Sequence, residues 1–181
     1  MQIDPSIKSR PTYTPPELVA TAGLQLFVSE SDAGHLLEPL YRQCAESGAQ
    51  WLVAEPGNAP GTLADSLSGY LQRILNDAPV TTRLYVAGSE SFLWDIRNQA
   101  LLAGLVDEQI QLAPPVSAAR RLFCTHCYTL MEGVTASPHT CTGCGRLLLV
   151  RDHFARLHGA YVGVQINAED PDEQPEQEVL Q

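Results

Sequence analysis

The chain has 181 residues, 44% of them hydrophobic, enough for one large or two modest domains. No run of about 18 apolar residues occurs, which argues against a membrane span. The polar, proline-rich start MQIDPSIKSRPTYTPPE lacks the apolar core of a signal peptide, so a cytoplasmic location is expected. The net charge of −10 is uneven: residues 1–119 hold 6 bases against 13 acids, residues 120–163 hold 5 arginines against Glu132 and Asp152, and the tail from 164 holds six acids and no base. A chain this acidic is not built for nucleic acid, whose phosphates demand positive charge.

Residues 1–19 are expected to form an extended arm, because Pro5, Pro11, Pro15 and Pro16 forbid a continuous helix. A strand–helix rhythm follows. The apolar runs at 24–28 (LQLFV), 51–54 (WLVA), 83–87 (RLYVA) and 108–112 (EQIQL) read as strands. Between them, three stripes recur at helical spacing: Leu36, Leu37, Leu40, Tyr41 and Cys44; then Leu63, Leu67, Tyr70, Leu71, Ile74 and Leu75; then Phe92, Leu93, Ile96, Ala100 and Leu101. This alternation predicts an α/β domain over 20–113, a small doubly wound parallel sheet with right-handed crossovers. Cys44, on the apolar face of the first helix, reads as a buried thiol.

Such sheets bind ligands at the carboxyl ends of their strands, here the loops 29–34, 55–61 and 88–91. The first loop, SESDAG, has one glycine and two acids, and Glu30 and Asp32 would repel a phosphate. G-x-G-x-x-G, a P-loop, a G-x-S-x-G elbow and H-E-x-x-H are all absent. Ser89 and Ser91 flank Glu90 as a helix cap, and Trp94 reads as a half-buried helix aromatic. No catalytic or cofactor-binding residue is assigned in this domain.

Residues 114–119, with Pro114-Pro115, form a stiff linker. A second domain spans 120–167, with strands at 147–150 and 161–166 joined through 152–159. The tail, 168–181, is acidic, lacks aromatics and is expected to be disordered. The second domain contains CTHCYTLMEGVTASPHTCTGCG, two C-x2-C pairs separated by 13 residues. Each pair bends into a knuckle that aims two sulfurs at one point. Cys124, Cys127, Cys141 and Cys144 are therefore expected to hold one tetrahedral metal ion. Zinc is favoured, as a structural ion; the same four thiolates suit a rubredoxin-like iron that would carry electrons. His126 and His139 lie near the set, but four cysteines already fill the shell. His153 and His158 read as polar hairpin residues.

Two segments resemble known families. LYVAGSESFLWDIRNQALLAGLVDEQIQL resembles the last strand–helix–strand of ferredoxin–NADP reductase-type nucleotide domains. The cysteine expected near the nicotinamide is Ala87 and the phosphate turn is SESDAG, so the resemblance implies a degenerate domain. RRLFCTHCYTLMEGVTASPHTCTGCGRLLLVRDHFARLHGAYVGVQINAE resembles the small accessory subunit of dimethylamine monooxygenase. That resemblance spans about residues 20–169. It implies a complex that uses NADPH and oxygen to turn dimethylamine into methylamine and formaldehyde. Its other subunits would be a haem-binding oxygenase and a reductase carrying FMN and a [2Fe-2S] cluster. This chain would be a non-catalytic accessory subunit that assembles or positions them; the alternative is a rubredoxin-like electron-transfer subunit of the same complex. Arg146, Arg151 and Arg156 are then available for acidic partner surfaces, with Arg151-Asp152-His153-Phe154 either an interface core or an ordinary solvated turn.

Overall fold

The computed structural model of the chain describes residues 9–54, 65–170 and 175–180. The chain divides into two compact units: Tyr13–Ser117, and Ala118–Gln181 together with the residues up to Thr12. Among the described residues no helix is long and apolar enough to cross a membrane.

In the first unit, strands β1 (Leu24–Glu30), β2 (Gln50–Ala54), β3 (Thr82–Ala87) and β4 (Ile110–Leu112) form one sheet in the order β2-β1-β3-β4. Every pair is parallel. Helices α1 (Glu38–Cys44), α2 (Asp65–Asn76) and α3 (Glu90–Leu102) join successive strands. The step from β1 to β2 runs one way across the sheet and the next two run the other. Right-handed crossovers therefore place α1 on one face and α2 and α3 on the opposite one.

The two-residue period of the strands divides the core accordingly. Phe27 lies beside Tyr85 in register, their rings stacked at 4.8 Å, and both pack with Leu37 and Cys44 of the α1 side. Leu26, Val28, Leu84 and Val86 alternate with them and point the other way, and Leu71, Leu75, Leu93 and Ile96 are buried as well. The α1 stripe expected from the sequence is thus the buried one. Pro39 sits in the first turn of α1, where its missing N–H costs nothing, and Gly48 closes the segment at φ 82°. The last strand is shorter than expected. Asp107–Gln109 coils into a 3-10 turn instead, because Asp107 pairs with Arg97 and the Gln109 amide donates to Val80 and Thr82 carbonyls. The second loop and the start of the second helical stripe, including Leu63, lie outside the described residues.

In the second unit, β5 (Arg120–Cys124), β6 (Leu130–Val134), β8 (His139–Thr140), β9 (Leu147–Ala155) and β10 (Ala160–Gln165) form a sheet ordered β6-β5-β10-β9-β8. Strand β10 runs parallel to β5; the other neighbours are antiparallel. A separate pair joins β7 (Ala136–Ser137) to β11 (Glu178–Val179), which lies within the segment read as a disordered tail. Leu122, Leu148, Phe154 and Tyr161 are buried on the inner face.

Strands β5 and β6 were not legible in the sequence, because RRLFC opens on two charged residues. Both are buried with partners. Arg120 reaches Asp152 at 3.2 Å and lies over the Tyr161 ring, and Arg121 pairs with Glu132. The expected 152–159 connection is also corrected. Strand β9 continues to Ala155, and the turn is confined to the following residues, closed by the His158 N–H on the Ala155 carbonyl. Phe154 is buried edge-on against Tyr161, Asp152 is paired, and His153 meets Ser9. Arg151-Asp152-His153-Phe154 is therefore part of strand β9 and not a solvated turn.

Candidate metal centre

Two knuckles build the centre, and they share one backbone pattern. In the first, Cys124 ends β5. Its N–H donates to the Thr129 carbonyl at 3.0 Å, and its carbonyl accepts the Tyr128 N–H at 2.9 Å. In the second, the Cys141 N–H donates to the Arg146 carbonyl at 2.8 Å, and its carbonyl accepts the Gly145 N–H at 2.9 Å. The fifth residue of each knuckle has positive φ: 64° at Tyr128 and 74° at Gly145. Glycine takes that conformation without steric cost, while tyrosine does not.

The knuckles face each other. The Sγ atoms of Cys124 and Cys144 are 3.9 Å apart, those of Cys127 and Cys141 are 3.6 Å apart, and all four lie within 4.8 Å of one another. A tetrahedral ion with metal–sulfur bonds of ~2.3 Å holds its ligands ~3.8 Å apart, so the spacing fits. It is far too long for disulfides, and all five cysteines, Cys44 included, are free thiols. The cluster could hold one metal ion.

Contact between the knuckles is set by Thr129 and Gly143. The Thr129 hydroxyl is 3.2 Å from Cys127 Sγ. A Cβ on Gly143 would stand 2.1 Å from that hydroxyl oxygen and 3.3 Å from the sulfur. Only glycine lets the second knuckle close on the first. On the sheet side, the Thr125 hydroxyl and N–H both donate to the Gly163 carbonyl at 3.0 Å, tying the first knuckle to β10.

The four thiols are electrostatically unequal. Hydrogen bonds from the Thr129 hydroxyl and N–H draw Cys127 down to about 6. Hydrogen bonding from the Arg146 backbone lowers Cys144. Burial pushes Cys141 up to about 11. Cys124 and Cys141 are buried, while Cys127 and Cys144 are half-buried, so one edge of the cluster faces outward.

The histidines stand outside the cluster. His126 Nδ1 is 3.0 Å from Arg146 Nη1, His158 stacks on Phe123 at 4.8 Å, and His153 meets Ser9. The sulfur positions were legible in the sequence. Thr129 and the knuckle place of Tyr128 were missed, since the first pair reads C-x2-C-Y where the second reads C-x2-C-G.

Residues 121–164 match the model of the family described as dimethylamine monooxygenase subunit DmmA-like, C-terminal domain. Over those residues the resemblance read from the sequence holds. The chain is also 40% identical, over 101 residues, to the heme-dependent oxidative N-demethylase delta subunit of Ectopseudomonas mendocina (strain ymp). That match covers 56% of this chain and 58% of the relative, so the chain spans less than two thirds of the relative's length. No solved structure matches. The matched family segment begins at Arg121 and ends at Val164, so it contains both knuckles and most of strands β5, β9 and β10.

Proposed function

We propose that this chain is a non-catalytic accessory subunit of an NADPH- and oxygen-dependent dimethylamine monooxygenase, which assembles or positions a haem-binding oxygenase and a flavin/iron–sulfur reductase. The observation that carries this reading is the four-cysteine cluster, with its sulfurs at metal-ligand spacing, inside the segment that matches the family. Cys124, Cys127, Cys141 and Cys144 hold one zinc ion. Four protein ligands close its shell, so its role is to cross-link two knuckles that lack a large core of their own. In this reading 120–167 is the metal domain, and 20–113 is a degenerate reductase-type nucleotide domain kept as a scaffold.

The surface offered to a partner is the outer face of the second sheet. Tyr128 is 72% exposed, Leu130 45% and Leu157 83%. Tyr128 and Leu130 adjoin Phe123, which pairs with Leu130, packs 5.8 Å from Tyr128 and stacks on His158. Arg120 and Arg121 are spent on internal pairs and add no charge to this face. An exposed aromatic and aliphatic patch of this kind suits an apolar partner surface.

A second reading follows from the half-buried sulfurs of Cys127 and Cys144. With iron in place of zinc, that outward edge would bring an electron-carrying site close to a partner. Metal analysis with a visible spectrum, on protein purified without added metal, separates the two. About one colourless zinc per chain supports the scaffold; about one iron with bands that bleach on reduction supports the carrier. The assembly role is tested by reconstituting the oxygenase and reductase subunits with and without this chain. Equal activity and equal complex stability in its absence would overturn it.

A further inference from the structure

Two side-chain contacts join the knuckles. One is the packing of Gly143 on Thr129 beside Cys127. The other is made by Arg146, two residues beyond Cys144. Its carbonyl already closes the second knuckle on the Cys141 N–H. Its half-buried side chain then leaves that knuckle. Nε donates to Gln165 Oε1 at 2.9 Å, at the end of β10. Nη1 lies 3.0 Å from Nδ1 of His126, which stands between the two cysteines of the first knuckle. A guanidinium has five N–H donors and no acceptor, so the imidazole nitrogen that meets it must accept. His126 is thereby fixed as a neutral ring with its proton on Nε2. Neither nitrogen is left for a metal: one is given to Arg146 and the other carries the proton.

The planar fork of arginine matters here. Nε and Nη1 diverge from one rigid plane, so a single side chain spans Gln165 and His126 at once. Its charge also has a use. Four thiolates around a divalent ion leave excess negative charge, and Cys127 and Cys144 are the two sulfurs that are only half-buried. The Arg146 side chain adds to the hydrogen bonding by which its own backbone lowers Cys144. Cys124 and Cys127 sit on one knuckle, and Cys141 and Cys144 on the other. An ion held by all four leaves only when the knuckles part, and a competing ligand must enter at the half-buried sulfurs.

We propose that Arg146 is a latch on the metal centre: by tying the second knuckle to His126 of the first and to Gln165 of β10, it sets how fast the metal leaves past Cys127 and Cys144. The inference rests on the metal-site reading above and deepens it, giving Arg146 and His126 a positioning role beside the four ligands.

The test is zinc release from the full chain, loaded with zinc and mixed with excess chelator and a chromogenic zinc indicator. Arg146→Ala should release zinc about tenfold faster than wild type, the effect of losing one charge-assisted hydrogen-bonded contact. Arg151→Ala, which removes an arginine of the same unit that makes neither contact, should release at the wild-type rate. His126 is exposed, so its substitution leaves the core intact. His126→Ala should speed release. His126→Asn, whose amide oxygen accepts in place of Nδ1, should hold it near the wild-type rate. The Arg146→Ala/His126→Ala double variant should release no faster than Arg146→Ala alone. Should Arg146→Ala not take up zinc, the two His126 variants decide. Equal release by wild type and Arg146→Ala overturns the proposal, as do fully additive effects of the two alanine substitutions or a His126→Asn protein as fast as His126→Ala. A wild type that holds no zinc sinks the metal reading itself and the latch with it; a wild type that holds zinc, with release unchanged in the variants, sinks the latch alone.

Discussion

Tyr128 and Gly145 hold the same place in the two knuckles: each donates its N–H to the carbonyl of the cysteine four residues before it, and each has positive φ. A side chain there is strained, yet the first knuckle carries an exposed aromatic. Replacing Gly145 with valine should therefore cost about 1–2 kcal/mol and weaken metal retention. Tyr128→Asn should do neither, because asparagine tolerates this conformation. If Tyr128 belongs to the docking face, the same variant loses partner binding while keeping its metal. Melting curves, metal content and pull-down of the proposed oxygenase partner check the three outcomes.

Closure of the knuckles depends on Gly143. The Cβ added by Gly143→Ala would overlap the Thr129 hydroxyl at 2.1 Å, so the variant should lose about 1–3 kcal/mol and most of its metal. Adding Thr129→Ala removes the overlapping oxygen and should restore part of both. Metal-to-protein ratios of the single and double variants measure the coupling.

Metal binding should depend on pH with a definite sign. In the metal-free chain Cys127 titrates near 6, below the ordinary thiol value of 9.0, and Cys141 near 11. The stability that Cys127 contributes as a thiolate is fully present above 9.0 and is lost as pH falls through about 6. Cys141 is shifted the other way, so it remains protonated at neutral pH and must give up its proton when a metal binds. Zinc affinity should thus rise with pH through the neutral range and fall steeply below about 6. At pH 7.5 binding should release protons, Cys141 supplying one. Titration in a weakly buffered indicator solution reads this directly.

Removing the metal should affect the two units differently. Cys124→Ser, or chelation of wild type, should abolish the cooperative transition of the unit holding Ala118–Gln181 and leave that of Tyr13–Ser117 in place. Tryptophan fluorescence reports the α/β unit alone, because Trp51 and Trp94 both lie in it, and calorimetry of the whole chain shows the loss of the other transition.

The sequence by itself determined the βα alternation, the helical stripes and the four sulfurs. Those are local properties: a period of 2 or 3.6 residues, or two cysteines close enough for one turn, can be read along the chain without knowing what lies beside it. It also marked Glu30 as hostile to phosphate. Only the tertiary structure decided where that carboxylate goes, because its partner, Ser89, is 59 residues away. The same holds for Arg120 and Arg121, which along the chain count only as two more bases and are buried pairs, and for Phe154, which lies in the segment read as an interface core or a solvated turn and is buried. It holds again for Thr129, whose meaning appears only once Gly143 is packed against it. A charge or an aromatic ring can face water or a partner with equal chemical sense; which of the two it meets depends on which distant segment folds over it.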